Sequence, residues 1–348
     1  MDRQSLNVFI AIVIGVFLSF GQADASKIIN GAGATFPYPI YSKWAHAYAK
    51  ETGIRLNYQS IGSGGGIRQI KAKTVDFGAS DAPLPAEELS KAGLVQFPMI
   101  IGGVVPVVNL KIPGSARLKL DGKTMADIFL GKVRYWDHQV IRSLNPDIKL
   151  PHLRITVVHR SDGSGTTWIF SQYLAAVSDE WRKRVGAGKA LRWPTGVGGK
   201  GNEGVAAYVK RIKGAIGYVE FAYAEQNHLV TISLKNRDGK FVAPSIESFQ
   251  AAAAGADWAN TPGMAVVLVN QPGASAWPIT GASFILMYKE QHDLDTAKEV
   301  LKFFHWCLTK GQDMAKALLY VPLPDQVVKI VESLWAKEIR YKGQPIWP

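Results

Sequence analysis

The sequence predicts an α/β protein of two lobes, each a doubly wound and mostly parallel sheet, facing one another across a cleft. Two observations lead there. A short β-like run, a loop of glycine and hydroxyl residues and a helix-like start occur three times in that order, and strands alternating with helices build parallel sheets covered on both faces. The loops also separate along the chain, two before residue 100 and one after residue 150. Of the 348 residues, roughly 320 remain beyond a leader, more than one core usually organises.

The chain starts with Arg3, an apolar run over 8–20 and Ala23-Asp24-Ala25, the layout of an export signal cleaved after Ala25. That run is shorter than the roughly 20 residues of a spanning helix, and no cysteine at the cleavage site could take a lipid. The first repeat runs from 27–30 through Gly31-Ala32-Gly33-Ala34-Thr35 into Tyr41, Trp44, Ala45 and Tyr48, which share one helical face. The second begins with the apolar/polar alternation of 54–59 and passes through Gly62, Ser63 and three more glycines into Ile67 and Ile70. A further strand-like run at 75–79 ends on Ser80-Asp81.

The third repeat runs from 155–158 through a polar loop at 160–167 into Ile169, Phe170, Tyr173, Leu174 and Val177. The segment 99–109, with Gly102-Gly103 inside it, reads as a crossover between lobes, and 277–280 leading into 283–288 as the return. The expected division is a leader at 1–25, one lobe from 26–103 with 279–348, and a second lobe at 104–278. A G-x-G-x-x-G match at 199–204 follows Arg192-Trp193-Pro194-Thr195, a poor strand ending. It is read as a loop entering a helix over 205–212.

The net charge is +12; removal of Asp2, Arg3 and Asp24 with the leader takes away one positive and two negative charges and leaves +13. Such a field attracts anions of any kind. The basic residues are scattered and not interleaved with stacking aromatics, so nucleic acid is not the expected partner. The single cysteine, Cys307, excludes an internal disulfide and reads as a small buried residue. The His residues lack metal-ligand spacing, and neither a P-loop nor a G-x-S-x-G elbow is present. No cofactor or metal is expected, and His159 reads as packed beside its strand.

Glycine and hydroxyl residues at helix starts suit an oxyanion. The first N–H groups of a helix lack partners and carry partial positive charge, glycine lets the backbone approach, and Ser or Thr adds a neutral donor. One such loop alone is more simply a turn with an N-cap; three at equivalent strand exits favour an anion site. Arg160 offers a rigid fork of donors that Asp162 can hold in place, and a surface ion pair is the competing reading.

At these residues the sequence resembles the periplasmic phosphate-binding protein family, PstS, over nearly the whole chain beyond the leader. The stretches that carry the likeness are GAGATFP at 31–37, IGSGGG at 61–66, VDFGASDAP at 75–83, RSDGSGT at 160–166 and GGKGN at 198–202. The resemblance implies two lobes closing over one dehydrated phosphate. It implies that Thr35, Phe36 through its backbone N–H, Ser63 and Asp81 bind from the first lobe, and Arg160, Ser164, Gly165 and Thr166 from the second, with Asp162 orienting Arg160. Ser161 and Gly64 depart from the residues common in relatives, Ala and Ser, at positions that are not ligands in the family. It further implies a monomeric, non-enzymatic periplasmic protein that serves a membrane permease and its cytoplasmic ATPase. A secreted phosphatase, or a binding protein for sulfate or another tetrahedral oxyanion, are the alternative functions.

Overall fold

The computed structural model describes residues 27–112 and 117–348; the leader expected at 1–25 lies outside the described residues. Each predicted repeat forms. Ile28–Gly33 (β1), Arg55–Ser60 (β2) and Phe77–Ser80 (β3) pair in parallel, with β1 between the other two. β2 is the sheet edge, where its alternation leaves Arg55, Asn57 and Gln59 exposed and half-buries Leu56 and Tyr58. The helix Tyr38–Thr52 (α1) buries Ile40, Tyr41, Trp44 and Tyr48, the face read from their spacing.

The glycines at 64–66 belong to a helix, Ser63–Lys71 (α2), and not to the loop before it. Packing explains Gly66, because a Cβ there would stand 2.5 Å from Gly33 Cα and 2.6 Å from the Ala32 carbonyl. Its absence lets α2 lie directly on β1.

Leu94–Val108 (β4) is buried along its whole length and joins the two halves of the molecule. Its first part pairs antiparallel with Thr280–Tyr288 and its last part, from Val104, with Ala215–Glu220. The second half adds Thr156–Arg160 (β5), Val197–Gly199 (β6) and Ala215–Glu220 (β7), all parallel, while Val230–Thr231 (β8) flanks β4. With Thr280–Tyr288 as β9, the order is β2-β1-β3-β9-β4-β7-β5-β6. Parallel strands thus lie on both sides of two long antiparallel strands, and β4 is common to both halves.

The helix Gly165–Val177 (α3) buries Ile169, Phe170, Tyr173 and Leu174. At 199–204 the expectation of a loop is corrected: β6 ends at Gly199 and the next helix, Gly201–Arg211 (α4), begins before residue 205. The strand exists because Val197 to Gly199 pair with Val158 to Arg160, a tertiary contact that overrides weak local propensity. His159 stacks on Trp193 with ring centroids 4.7 Å apart. Cys307 is buried in the helix Leu294–Thr309, and burial pushes its thiol up. No described helix is long and apolar enough to cross a membrane.

Candidate anion-binding site

Because β1, β2, β5 and β6 each lead into a helix at their carboxyl ends, the starts of α1, α2, α3 and α4 converge where the two halves of the sheet meet. The halves touch there through polar atoms. Gly64 N–H donates to the Gly163 carbonyl at 2.8 Å, and Gly165 N–H to Ser63 Oγ at 3.0 Å. Asn202 donates to Thr35 Oγ1 from its backbone N–H at 3.2 Å and from Nδ2 at 2.7 Å. Tyr223 OH donates to the Thr35 carbonyl at 2.7 Å. Thr35, Phe36, Ser63, Asp81, Arg160, Ser164 and Thr166 are all buried, so the structure brings the expected residues into one cluster.

The cluster has one strong cation. Arg160, the last residue of β5, donates from Nε to Asp162 Oδ1 at 2.7 Å and from Nη2 to Oδ2 at 2.6 Å. Its Nη1 reaches Thr166 Oγ1 at 3.3 Å. Gly201 N–H donates to Asp162 Oδ1 at 3.1 Å, so one carboxylate holds both the guanidinium and the start of α4. Burial by itself would raise the Asp162 carboxyl, but the bonds and charge of Arg160, with the Gly201 N–H, hold it below its ordinary value. A guanidinium carries five N–H groups, so these three bonds leave donors over for an anion.

Asp81 is the acceptor in a field of donors. It follows β3, is buried, and its Oδ1 makes no hydrogen bond. Its backbone N–H donates to Ser63 Oγ at 3.1 Å. Burial raises its carboxyl to about 7, against the downward pull of the Ser283 hydroxyl, the Arg160 charge and the Ser63 hydroxyl. Ser164 caps α3, its Oγ accepting from Thr167 N–H at 2.9 Å, and keeps its own O–H. Gly165 has a steric role as well, since a Cβ there would lie 2.6 Å from both Cβ and Oδ2 of Asp81 and closer still to Ser63 Oγ.

Four residues outside the expected set complete the cluster: Asn202, Glu220, Tyr223 and Tyr320. Glu220 closes β7 as Asp81 follows β3, fully buried, with its Oε2 accepting from Ala222 N–H at 2.9 Å. Burial raises its carboxyl well above the ordinary range. Tyr320 OH lies 2.9 Å from Glu220 Oε2 and 2.7 Å from the Phe36 carbonyl, tying the Thr35-Phe36 turn to the second half. An acid closing an apolar strand was the readable signal for Glu220; Asn202 sits in the GGKGN stretch. No group of three or more His, Cys, Asp or Glu among the described residues could hold a metal ion.

Known proteins share the sequence and the fold of this chain. The model of the PBP superfamily domain matches residues 19–308. A phosphate-binding protein PstS of Haemophilus influenzae is 55% identical over 323 residues, 93% of this chain and 96% of its own length. One from Methanocaldococcus jannaschii is 39% identical over 338 residues, covering 90% of this chain and 86% of its own. Among solved structures, a high affinity periplasmic phosphate-binding protein, PfluDING, bound with phosphate, superposes with a TM-score of 0.71 at 22% identity, covering 90% of this chain and 96% of that one. A phosphate-binding protein from Stenotrophomonas maltophilia gives 0.70 at 17% identity, covering 88% and 93%. At these identities the structures establish the two-lobe α/β fold of periplasmic binding proteins, and the sequence relatives narrow the assignment. Matched by the superfamily model over most of its length, and more than half identical to PstS proteins along nearly all of theirs, the chain belongs to the PstS family of phosphate-binding proteins.

Proposed function

We propose that this protein captures inorganic phosphate in the periplasm and delivers it to an ABC-type import permease driven by a cytoplasmic ATPase, acting as a monomer and not as an enzyme. The observation that carries the reading is Asp81, a buried acceptor with an unpartnered oxygen, set among hydroxyls, helix N-termini and Arg160. An oxyanion that still carries a proton satisfies both kinds of partner: its bare oxygens accept from the donors and its O–H donates to Asp81. Sulfate has no proton to give.

The lobes are residues 26–103 with 279–348, and 104–278, hinged on β4 and the return at 277–280. Thr35, Phe36, Ser63 and Asp81 bind from the first, and Arg160, Ser164, Gly165 and Thr166 from the second, with Asp162 positioning Arg160. A hydrolase would need an activated nucleophile beside a base, or a metal pair, whereas Ser63 Oγ accepts from the Asp81 and Gly165 N–H groups, which occupies both lone pairs a nucleophile would use. Incubation with a phosphomonoester and divalent metals, beside a phosphate titration, tests the division. Tight, metal-independent phosphate binding without ester turnover is expected; steady release of alcohol would overturn the reading.

Closure without ligand should depend on pH. A carboxyl raised from 3.8 to about 7 in the closed form favours closure fully below its ordinary value, and that contribution is lost as pH rises through about 7. Glu220, also raised by burial, pushes the same way. The ligand-free radius of gyration is therefore expected to be larger at about pH 8.5 than at about pH 5.5. A radius unchanged across that window would contradict a buried, raised Asp81.

Arg160→Lys is expected to weaken phosphate binding by about 30-fold to 100-fold, because a point charge cannot replace a planar fork that bonds both Asp162 oxygens and still has donors for the anion. Calorimetry checks it, with circular dichroism to confirm the fold. Unchanged affinity would demote Arg160 to a structural ion pair.

A further inference from the structure

Two threonine hydroxyls in the cluster have no freedom in the sense of their hydrogen bonds. A hydroxyl offers one O–H and two lone pairs. Thr35 Oγ1 accepts twice from Asn202, at 3.2 Å from the backbone N–H and 2.7 Å from Nδ2. Thr166 Oγ1 also accepts twice, from Arg160 Nη1 and from Asn202 Nδ2, each at 3.3 Å. With both lone pairs taken, each hydroxyl can only donate.

The amide of Asn202 cannot be turned the other way. Glu220 N–H, which can only donate, faces Asn202 Oδ1 at 2.9 Å, so Nδ2 with its two hydrogens must face the threonines. Asn202 is fully buried near the start of α4, and the residue before it, Gly201, is held through its N–H by Asp162. One carboxylate therefore sets both Arg160 and the amide.

We infer that Asn202 is a positioning residue that fixes Thr35 and Thr166 as obligate hydrogen-bond donors when the lobes meet, so that the site presents donors to the anion everywhere except at Asp81. The inference rests on the phosphate reading of the same site. Thr35 belongs to the first lobe and Asn202 to the second, so the lock engages on closure; in an open cleft the Thr35 hydroxyl can rotate. Closure then selects against a ligand that would place a second O–H at Thr35 or Thr166, where donor would face donor.

A double-mutant cycle in the whole chain tests this, with phosphate affinity read by calorimetry. Thr35→Ala alone is expected to cost at least about tenfold, since it removes one donor to the anion and leaves the Asn202 N–H and Nδ2 without the acceptor they share. Asn202→Asp, which offers the threonines an acceptor and turns their O–H groups away from the ligand, is expected to cost about 100-fold, and Asn202→Ala less, since it leaves the hydroxyls free to turn. In the Asn202→Asp background Thr35→Ala should cost almost nothing, because that hydroxyl no longer donates to phosphate. Added negative charge alone would leave the two effects additive, and additivity overturns the inference, as does an Asn202→Ala penalty equal to that of Asn202→Asp. Should Asn202→Asp fail to fold, the Thr35→Ala penalty must still shrink in Asn202→Ala, and an unchanged penalty is the overturning result. A wild-type chain that takes up no phosphate sinks the functional reading itself, whereas a binding wild type with additive variants sinks only the role of Asn202.

Discussion

Replacing Gly165 by alanine is expected to cost at least about 1000-fold in phosphate affinity while leaving the fold intact. The added Cβ would meet Asp81 Cβ and Oδ2 at 2.6 Å, with Ser63 Oγ nearer still. In the proposed division of lobes these atoms belong to the opposite one, so the clash is expected to be relieved by opening and not by unfolding. Within its own lobe the change is mildly favourable, because Gly165 is the first residue of α3 and alanine is the better helix former. An anion contacts both donor sets only in the closed form, so a chain that cannot close keeps half the site. Scattering should show the variant extended at saturating phosphate, with thermal stability equal to or above that of the ligand-free wild type. A variant that compacts normally would show that the lobes do not close through this contact.

Asp81→Asn is expected to act on selectivity more than on affinity. A site built to accept a proton from its ligand rejects an analogue without that proton by about 10⁴-fold. Above about pH 7, where Asp81 is ionised in the closed form, its carboxylate is the source of that rejection, since it would face a sulfate oxygen as like charge against like charge in a poorly hydrated cleft. An amide can donate to that oxygen as readily as it accepts, so the phosphate-over-sulfate preference should fall to about 100-fold or less, with phosphate itself weakened about tenfold. Competitive titration of both anions measures it. A preference that survives the substitution places discrimination elsewhere in the cleft.

Much of this was legible from residues alone. The period of Tyr41, Trp44 and Tyr48, the alternation of 54–59 and the polar loops at strand exits each reflect a local rule that the structure obeys. The cluster around Thr35, Ser63, Asp81 and Arg160 follows from four such exits meeting. What sequence did not yield has two physical causes. Glycine has more than one use: Gly66 is required by the approach of α2 to β1, and no pattern distinguishes that from an anion-cradling glycine. The other cause is range. β6 becomes a strand only through its pairing with β5, which is why 199–204 read as a loop and Asn202 was hidden behind it. Likewise Tyr320 reaches Phe36 and Glu220 across very long sequence separations, and nothing near residue 320 announces it.

In the proposed function a buried acceptor among fixed donors selects a protonated oxyanion. Its most direct test is calorimetric titration of the wild-type chain with phosphate, alone and in the presence of about a 100-fold excess of sulfate. One phosphate is expected to bind per chain, at an affinity that the sulfate leaves within about twofold. Sulfate that displaces phosphate at comparable concentration, or a titration with no saturable phosphate site, would contradict it.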